Sequence, residues 1–201
     1  MIKLPVGALL AALALAPVLA PIMAGIARAE PQTYQIDTSH SQVLFSFNHH
    51  GFADVVGMLG GVTGTIVFDR ENPAASSTDV KLPLASLTTG LAARDQDILS
   101  EDFLGAEKAP EVTFRSTAIR VVAGDRALIT GDLSLNGVTR PVVLDTMLNR
   151  DAPSVKGRPT LGLHATTTLL RSDFGAGRAV PANSDLVEVK LFIEAQAEGA
   201  E

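Results

Sequence analysis

The feature that most constrains the fold of this chain is an alternation of apolar and polar side chains with a period of two. It is clearest near the C-terminus, where valine, leucine and isoleucine occupy positions 187, 189, 191 and 193 and charged residues occupy 188, 190 and 194. Such alternation is typical of an antiparallel strand with one buried face. Turn signals such as Asn72-Pro73 and Asn136-Gly137 separate similar segments. We predict eight strands, near 34–48, 54–69, 77–84, 111–121, 126–135, 140–148, 160–171 and 186–196.

One stretch, 86–108, breaks the alternation. Leu91, Ile98 and Leu99 fit a helical spacing loosely, so we predict a short helical segment there. No linker, repeat or low-complexity tract divides the chain. Many antiparallel strands in one domain form a sandwich or a closed barrel. Because closure removes exposed sheet edges, we favour an all-β fold built as an eight-stranded antiparallel barrel.

The N-terminal 29 residues are almost wholly apolar. Their only charges are Lys3 and Arg28, and they end in Ala27-Arg28-Ala29, which matches a signal-peptide cleavage pattern. A transmembrane anchor is the alternative, since the run is long enough to span a bilayer, but its three prolines and its small-residue ending argue against one. We predict that 1–29 is a signal peptide, that 30–201 is the domain, and that the protein is periplasmic without a stable membrane span.

Composition excludes several function classes. Sixteen Lys and Arg stand against 22 Asp and Glu, with no basic cluster, which argues against a nucleic-acid partner. No cysteine is present, so disulfides, thiolate ligands and a cysteine nucleophile are excluded. The histidines show no chelating spacing, and adjacent His49 and His50 on a strand would point to opposite faces. Nucleophile-elbow and phosphate-loop motifs are also absent. We predict no metal site and no catalytic residues.

Two polar motifs allow a structural or a functional interpretation. Arg171-Ser172-Asp173-Phe174-Gly175 ends the seventh predicted strand. It would form either a structural ion pair followed by a glycine turn, or a polar lip that holds a ligand head group. Arg94-Asp95, in the irregular segment, would either cap or bridge a short helix or take a comparable binding role.

The predicted inner faces mix bulky and small residues. The bulky members are Phe45, Phe47, Phe68 and Phe114, and the small ones are Gly64, Gly131, Ala165 and Thr167. Small inward residues leave space, and the interior of an eight-stranded barrel is either filled or has room for one small ligand. The pattern alone leaves both alternatives open.

A series of motifs covering about 34–195 matches a known family in order and spacing. YQIDTSHS at 34–41 is followed by FSFNH at 45–49 and by Arg94-Asp95 with Asp102-Phe103. The most specific stretch is TGDLSLNGVTRP at 130–141, and Arg171 with Asp173-Phe174-Gly175 completes the set. On these motifs the chain resembles the YceI-like proteins, the polyisoprenoid-binding family of bacterial exported lipid binders.

Three positions depart from the family pattern. Leu104 stands where a second phenylalanine is usual, Leu99 replaces a residue that is often basic, and Leu59 stands where an aromatic residue is expected. Each change reduces the aromatic or charged character near the expected cavity mouth. The departures therefore bear on the identity of the ligand more than on the fold.

The resemblance implies a lipocalin-like barrel whose hollow, apolar interior holds a polyisoprenoid or similar amphiphilic lipid. Family members are non-enzymatic and often dimeric, so no cofactor other than the bound lipid is expected and a homodimer is an option. The expected ligand-binding residues are Phe45, Phe47, His49, Phe103, Phe114, Leu133, Leu135, Ala165, Arg171, Asp173, Phe174 and Ile193.

Two rival functions remain at this stage. One is an enzyme that acts on a lipid within the same barrel, using His49, Arg171 and Asp173. The other is a filled barrel that serves as a module for binding another protein. Turnover of a lipid substrate would favour the first, and a dry, closely packed interior would favour the second.

Overall fold

The computed structural model describes residues 30–198, so the predicted signal peptide lies outside the described residues. Within this range the chain forms one α-helix, α1 (Ala92–Leu99), three short 3₁₀ turns and ten strands. The strands are β1 (Gln32–Ile36), β2 (Gln42–His49), β3 (Ala53–Leu59), β4 (Thr63–Phe68), β5 (Ser77–Pro83), β6 (Glu111–Ala123), β7 (Arg126–Leu135), β8 (Val138–Pro153), β9 (Pro159–Leu170) and β10 (Leu186–Ala197). No helix in 30–198 has the length and apolar character needed to cross a bilayer.

The strands close into an antiparallel barrel with eight positions. The ring runs β1-β4-β5-β6-β7-β8-β9-β10, and β1 returns to β10 through the pair Tyr34–Ala197. Further along β10, its free edge pairs with β2 from Glu188–Ser46 to Phe192–Gln42, and β2 pairs with β3. Thus β1 and β2 share one position of the ring, and β3 and β4 share the next. The predicted eight-stranded barrel is confirmed, whereas the predicted continuous strands 34–48 and 54–69 are each interrupted.

The first interruption has a specific cause in the side chain of Ser41. The Asp37 N–H donates to the Glu194 carbonyl at 2.8 Å, and the chain then leaves β10. The Ser41 hydroxyl donates to that carbonyl at 3.1 Å and accepts from the Glu194 N–H at 3.1 Å. A side chain thus satisfies the backbone groups that a regular ladder would have paired.

The irregular segment after β5 completes the barrel wall beside β3. Thr88 exchanges two backbone hydrogen bonds with Met58 of β3, at 2.8 and 2.9 Å, and α1 follows. The helix confirms the predicted helical segment, although it is shorter than 86–108. Asp95 accepts hydrogen bonds from the backbone and hydroxyl of Thr89 at 2.7 and 2.5 Å, while Arg94 donates to the same hydroxyl at 2.7 Å. These bonds join the segment before α1 to its first turn, but no side chain caps the helix at Leu91. Because Arg94 also lines the cavity, a binding role for this pair stays a prediction.

Aromatic rings cover the inward-facing glycines at two places. A Cβ on Gly131 would lie 2.4 Å from the Phe114 ring, and a Cβ on Gly57 would lie 2.2 Å from the Phe45 ring. Rings that pack over strand glycines recover the contact that the missing side chain would have made. The space at Gly131 is therefore used by Phe114 and does not belong to a ligand.

Candidate functional site

The barrel encloses a cavity of about 990 Å³. Ligand-binding pockets usually measure about 300–1,000 Å³, so this space is far larger than a packing defect. Aliphatic and aromatic side chains of the alternating strands form most of its wall. The question that the sequence pattern left open is answered: the barrel is hollow and its interior is not closely packed.

Most of the expected ligand-binding residues line this cavity. They are Phe45, Phe47, His49, Phe103, Phe114, Leu133, Leu135, Ala165, Arg171, Phe174 and Ile193. Asp173 is exposed and does not belong to the lining. The reason is the 3₁₀ turn Arg171–Phe174 that follows β9, in which residues three apart share a side. Arg171 and Phe174 face inward, and Asp173 points elsewhere. A direct binding role for the lining residues stays a prediction.

Arg171 is held by backbone carbonyls. Its Nε donates to the Ser184 carbonyl at 2.9 Å, and its Nη atoms donate to the carbonyls of Arg178 at 2.8 Å, Asn183 at 3.2 Å and Ala176. Burial of the guanidinium lowers its pKa from the ordinary value. The side chain ties the loop between β9 and β10 to the end of the barrel.

The acidic neighbour of Arg171 differs from the expected one. Asp185 accepts hydrogen bonds from the backbone and hydroxyl of Ser172 at 2.8 and 2.6 Å, and these bonds lower the pKa of Asp185. The expected ion pair between Arg171 and Asp173 is therefore wrong. The glycine turn is confirmed, since Gly175 has a φ of 72° and ends the 3₁₀ turn.

Polar residues line the cavity at both ends of the barrel. The His49 end, where β2 finishes and β10 begins, carries His49, Arg94 and Asn183. The Arg70 end, where β4 and β8 finish, carries Arg70 and Asp151. Sequence reasoning missed Asn183 and the whole Arg70 end. No local motif marks either one, because Arg70 and Asp151 are 81 residues apart along the chain.

Two of the family departures contribute to the cavity wall. Leu59 and Leu104 line the cavity, and Leu99 packs against the surrounding core without reaching the lining. Leucine at 59 and 104 makes this part of the wall aliphatic where aromatic residues are usual. An effect of these departures on the choice of ligand stays a prediction.

The side chains of the adjacent residues His49 and His50 are in contact, whereas neighbouring residues in a strand are expected to point to opposite faces. Their rings contact edge-to-face, with centroids 4.3 Å apart. His50 lies beyond the end of β2 with a φ of 52°, so strand alternation no longer sets the direction of its side chain. His49 alone of the two lines the cavity.

A group of potential metal ligands lies at the interruption between β1 and β2. Single ligand atoms of Asp37, His40 and Glu194 lie within 4.8 Å of one another. Sequence spacing did not reveal this group, because Glu194 comes from β10. Asp37 already accepts hydrogen bonds from Ser39 at 2.9 Å and from Gln196 at 3.0 Å, and it contacts His40 at 3.0 Å. These bonds give the group a structural role, and the absence of a metal site stays a prediction.

A closed antiparallel barrel around an apolar cavity is the architecture of lipocalin-like proteins. The family is shown by direct comparison: the model of the YceI-like domain matches residues 34–195, and this chain belongs to that family. A UPF0312 protein of Pseudomonas savastanoi pv. phaseolicola is 38% identical over 177 residues, which cover 88% of this chain and 91% of the relative.

Two solved structures share the fold. BcnA of Burkholderia cenocepacia aligns with a TM-score of 0.72 at 20% identity, over 79% of this chain and 98% of BcnA. A polyisoprenoid binding domain from Saccharophagus degradans aligns with a TM-score of 0.61 at 12% identity, over 83% of this chain and 99% of that domain. At these identities the likeness concerns the fold alone.

Proposed function

We propose that this protein is exported and that it sequesters or carries a long-chain isoprenoid-type amphiphile inside the barrel. The cavity of about 990 Å³ with its apolar wall is the observation that carries the proposal. Membership of the YceI-like family supports it. The fold shared with a polyisoprenoid binding domain is consistent with it.

The cavity wall favours recognition of a hydrocarbon tail over recognition of a head group. Phe47, Leu133 and Ile193 present hydrocarbon along the interior. Burial of apolar surface contributes about 25 cal/mol per Å², so a long flexible chain gains affinity over its whole length. Arg171 donates to four carbonyls and is therefore poorly placed to bind a head group as well.

The rival enzymatic function lacks a catalytic arrangement. It requires His49, Arg171 and Asp173 to act together, yet Asp173 is exposed outside the cavity and Arg171 is occupied by the loop. A general base must lie within hydrogen-bond reach of the proton that it abstracts. We therefore favour binding without chemistry.

Native mass spectrometry of protein recovered from the periplasm tests the proposed function. The full chain is expressed, the mature protein is purified without detergent, and the bound lipid is extracted and identified. We expect a polypeptide that begins at or near Glu30 and carries an isoprenoid lipid in a one-to-one complex. An intact Met1 on membrane-embedded protein would contradict export, and a ligand-free protein that binds no added polyprenol would contradict the binding function.

A pair of variants separates binding in the cavity from adhesion to the surface. Phe47→Arg places a charge in the cavity wall, and we expect it to abolish the lipid adduct. Val155→Arg is the control, because Val155 is fully exposed in the turn between β8 and β9. Equal loss of lipid in both variants would argue against binding inside the barrel.

A further inference from the structure

An ion pair crosses the Arg70 end of the barrel. Arg70 follows β4, and Asp151 lies in β8; Nε donates to one carboxylate oxygen at 2.5 Å and Nη2 donates to the other at 2.6 Å. In the eight-position ring β4 and β8 are four positions apart in either direction, so they stand on opposite sides of the barrel. The ion pair therefore spans the opening and does not join neighbouring strands.

Several contacts hold the Arg70 side chain in this position. Its Nη1 donates to the Gln32 amide oxygen at 3.2 Å, and Nη2 also donates to the Tyr34 hydroxyl. The guanidinium carbon lies 5.8 Å from the Tyr34 ring centroid and 5.7 Å from that of Phe68, within cation–π range. A two-pronged arginine–carboxylate pair resting on two rings is a pre-organised arrangement.

The turn that carries Arg70 is itself ordered. The buried Asp69 carboxylate accepts hydrogen bonds from the N–H groups of Glu71 at 3.0 Å and Asn72 at 2.8 Å. Tyr34, whose hydroxyl accepts from Arg70, is fully buried and does not line the cavity, so its side chain fills the interior beside the ion pair. Arg70 and Asp151 border the space that remains at this end.

We propose that the Arg70–Asp151 ion pair is a chain-length stop, which sets the longest isoprenoid tail that the cavity accommodates. The inference rests on the proposed function. A tail that passed the stop would have to move the Arg70 guanidinium away from the Asp151 carboxylate and from the Tyr34 and Phe68 rings. The pair is partly exposed to water, so the loss of these combined contacts, and not the burial of isolated charges, opposes longer tails. Tails that end before the stop bury more apolar surface with every isoprene unit, whereas longer tails leave their excess in water.

A homologous series of all-trans polyprenols, each one isoprene unit longer than the last, tests the stop on delipidated mature protein. Affinity is measured by displacement of a fluorescent fatty acid analogue. For the parent protein we expect affinity to rise with chain length and then to level off. Arg70→Ala should move that limit by at least one unit, with about tenfold or more tighter binding of the first polyprenol beyond the parent's limit.

A second variant and a matched control keep the test decisive. Asp151→Ala breaks the same ion pair and should shift the limit as well. Because this variant keeps the contacts of Arg70 with the Tyr34 and Phe68 rings, it serves as the test if Arg70→Ala does not fold. Arg115→Ala removes an arginine–aspartate pair with a single 2.5 Å contact to Asp79, which joins neighbouring strands outside the cavity lining. It should keep the parent's limit.

Three outcomes would overturn the stop. The first is an unchanged limit in both Arg70→Ala and Asp151→Ala. The second is an equal shift in Arg115→Ala, which would point to general loosening of the barrel. The third is a parent protein whose affinity rises without a limit across the series. A parent protein that binds no polyprenol of any length would instead contradict the proposed function, and the stop would fall with it.

Discussion

Phe45 and Gly57 face each other across β2 and β3, and the phenylalanine ring occupies the place of the missing side chain. A Cβ on Gly57 would lie 2.2 Å from the ring, closer than any real contact. Phe45 lines the cavity, so a displacement of its ring toward the interior would take up space that the ligand would use. Gly57 therefore links the packing of the wall to the volume of the cavity.

We expect Gly57→Ala to reduce lipid binding more than it reduces stability. The three atoms nearest the added methyl group all belong to the far end of the Phe45 ring, and we expect this ring to turn toward the cavity. Gly131→Ala is the contrasting variant, because its Cβ would meet the Phe114 ring and also the Arg115 carbonyl at 2.5 Å. Overpacking against backbone should cost about 1–3 kcal/mol. Thermal melting and polyprenol affinity of the delipidated variants are compared, and an equal loss of stability in both would contradict this account.

The contacts of Arg171 predict that replacing this residue lowers the stability of the fold. Replacing it with leucine removes the donors to four carbonyls of the loop between β9 and β10 and leaves those acceptors unpaired. We expect a loss of about 3 kcal/mol in the free energy of unfolding, measured by urea denaturation. Asp173→Asn is the control and should unfold like the parent, because Asp173 is exposed. If Asp173→Asn were as damaging as Arg171→Leu, the expected ion pair would have to be reconsidered.

Period-two alternation identifies which side chains face the barrel interior, because the direction of a strand residue follows from its position. Alternation places Phe45, Phe47 and Ile193 on the inner face, and the family resemblance implies that this face is a cavity wall. The argument fails where a strand ends: Asp173 lies in a 3₁₀ turn, and its direction follows a period of three. Asp173 therefore lies outside the cavity lining, and a binding role for it stays a prediction.

Contacts between distant parts of the chain account for what the sequence did not reveal. The break between β1 and β2 depends on the Ser41 hydroxyl meeting Glu194, 153 residues away. The Arg70–Asp151 pair depends on the order of strands around the ring, which alternation does not encode. The sequence predicts the bounds of α1 only approximately, because this short helix carries few apolar residues.

The cluster at the β1–β2 interruption predicts a pH dependence of stability. Hydrogen bonds from Ser39 and His40 lower the pKa of Asp37 to about 2, while the hydrogen bond to Asp37 raises the pKa of His40 above its ordinary 6.5. A carboxyl whose folded pKa is depressed stabilises the fold above its unfolded pKa, and this stabilisation is lost as pH falls from about 4 toward 2. A histidine whose folded pKa is raised stabilises the fold below 6.5, and this stabilisation is lost as pH rises beyond that value.

Melting temperatures of the parent and of His40→Gln, measured from acidic to alkaline pH, test this dependence. We expect the parent to lose a small amount of stability as pH rises beyond 6.5, because His40 is exposed, and we expect His40→Gln to lose none over that interval. High salt should reduce the difference. A parent protein that became more stable over the same interval, with His40→Gln behaving alike, would contradict the assignment.

Ala165 offers the most direct test that the cavity is used by a ligand. This residue lines the cavity from β9, and a phenylalanine there would extend into the space that a lipid tail would occupy. In a packed core the same change would cost about 1–3 kcal/mol and lower the melting temperature by several degrees. Because the barrel is hollow, we expect delipidated Ala165→Phe to melt close to the parent while its affinity for polyprenols falls sharply.

Phe47→Ala is the complementary variant, since it removes apolar contact from the cavity wall. It should also weaken lipid binding, by about tenfold or more if a tail packs against the ring. Melting and polyprenol affinity are measured on both delipidated variants beside the parent. If Ala165→Phe melted much earlier than the parent yet bound lipid equally well, position 165 would belong to a packed core, and the lipid-binding function would lose its main physical support.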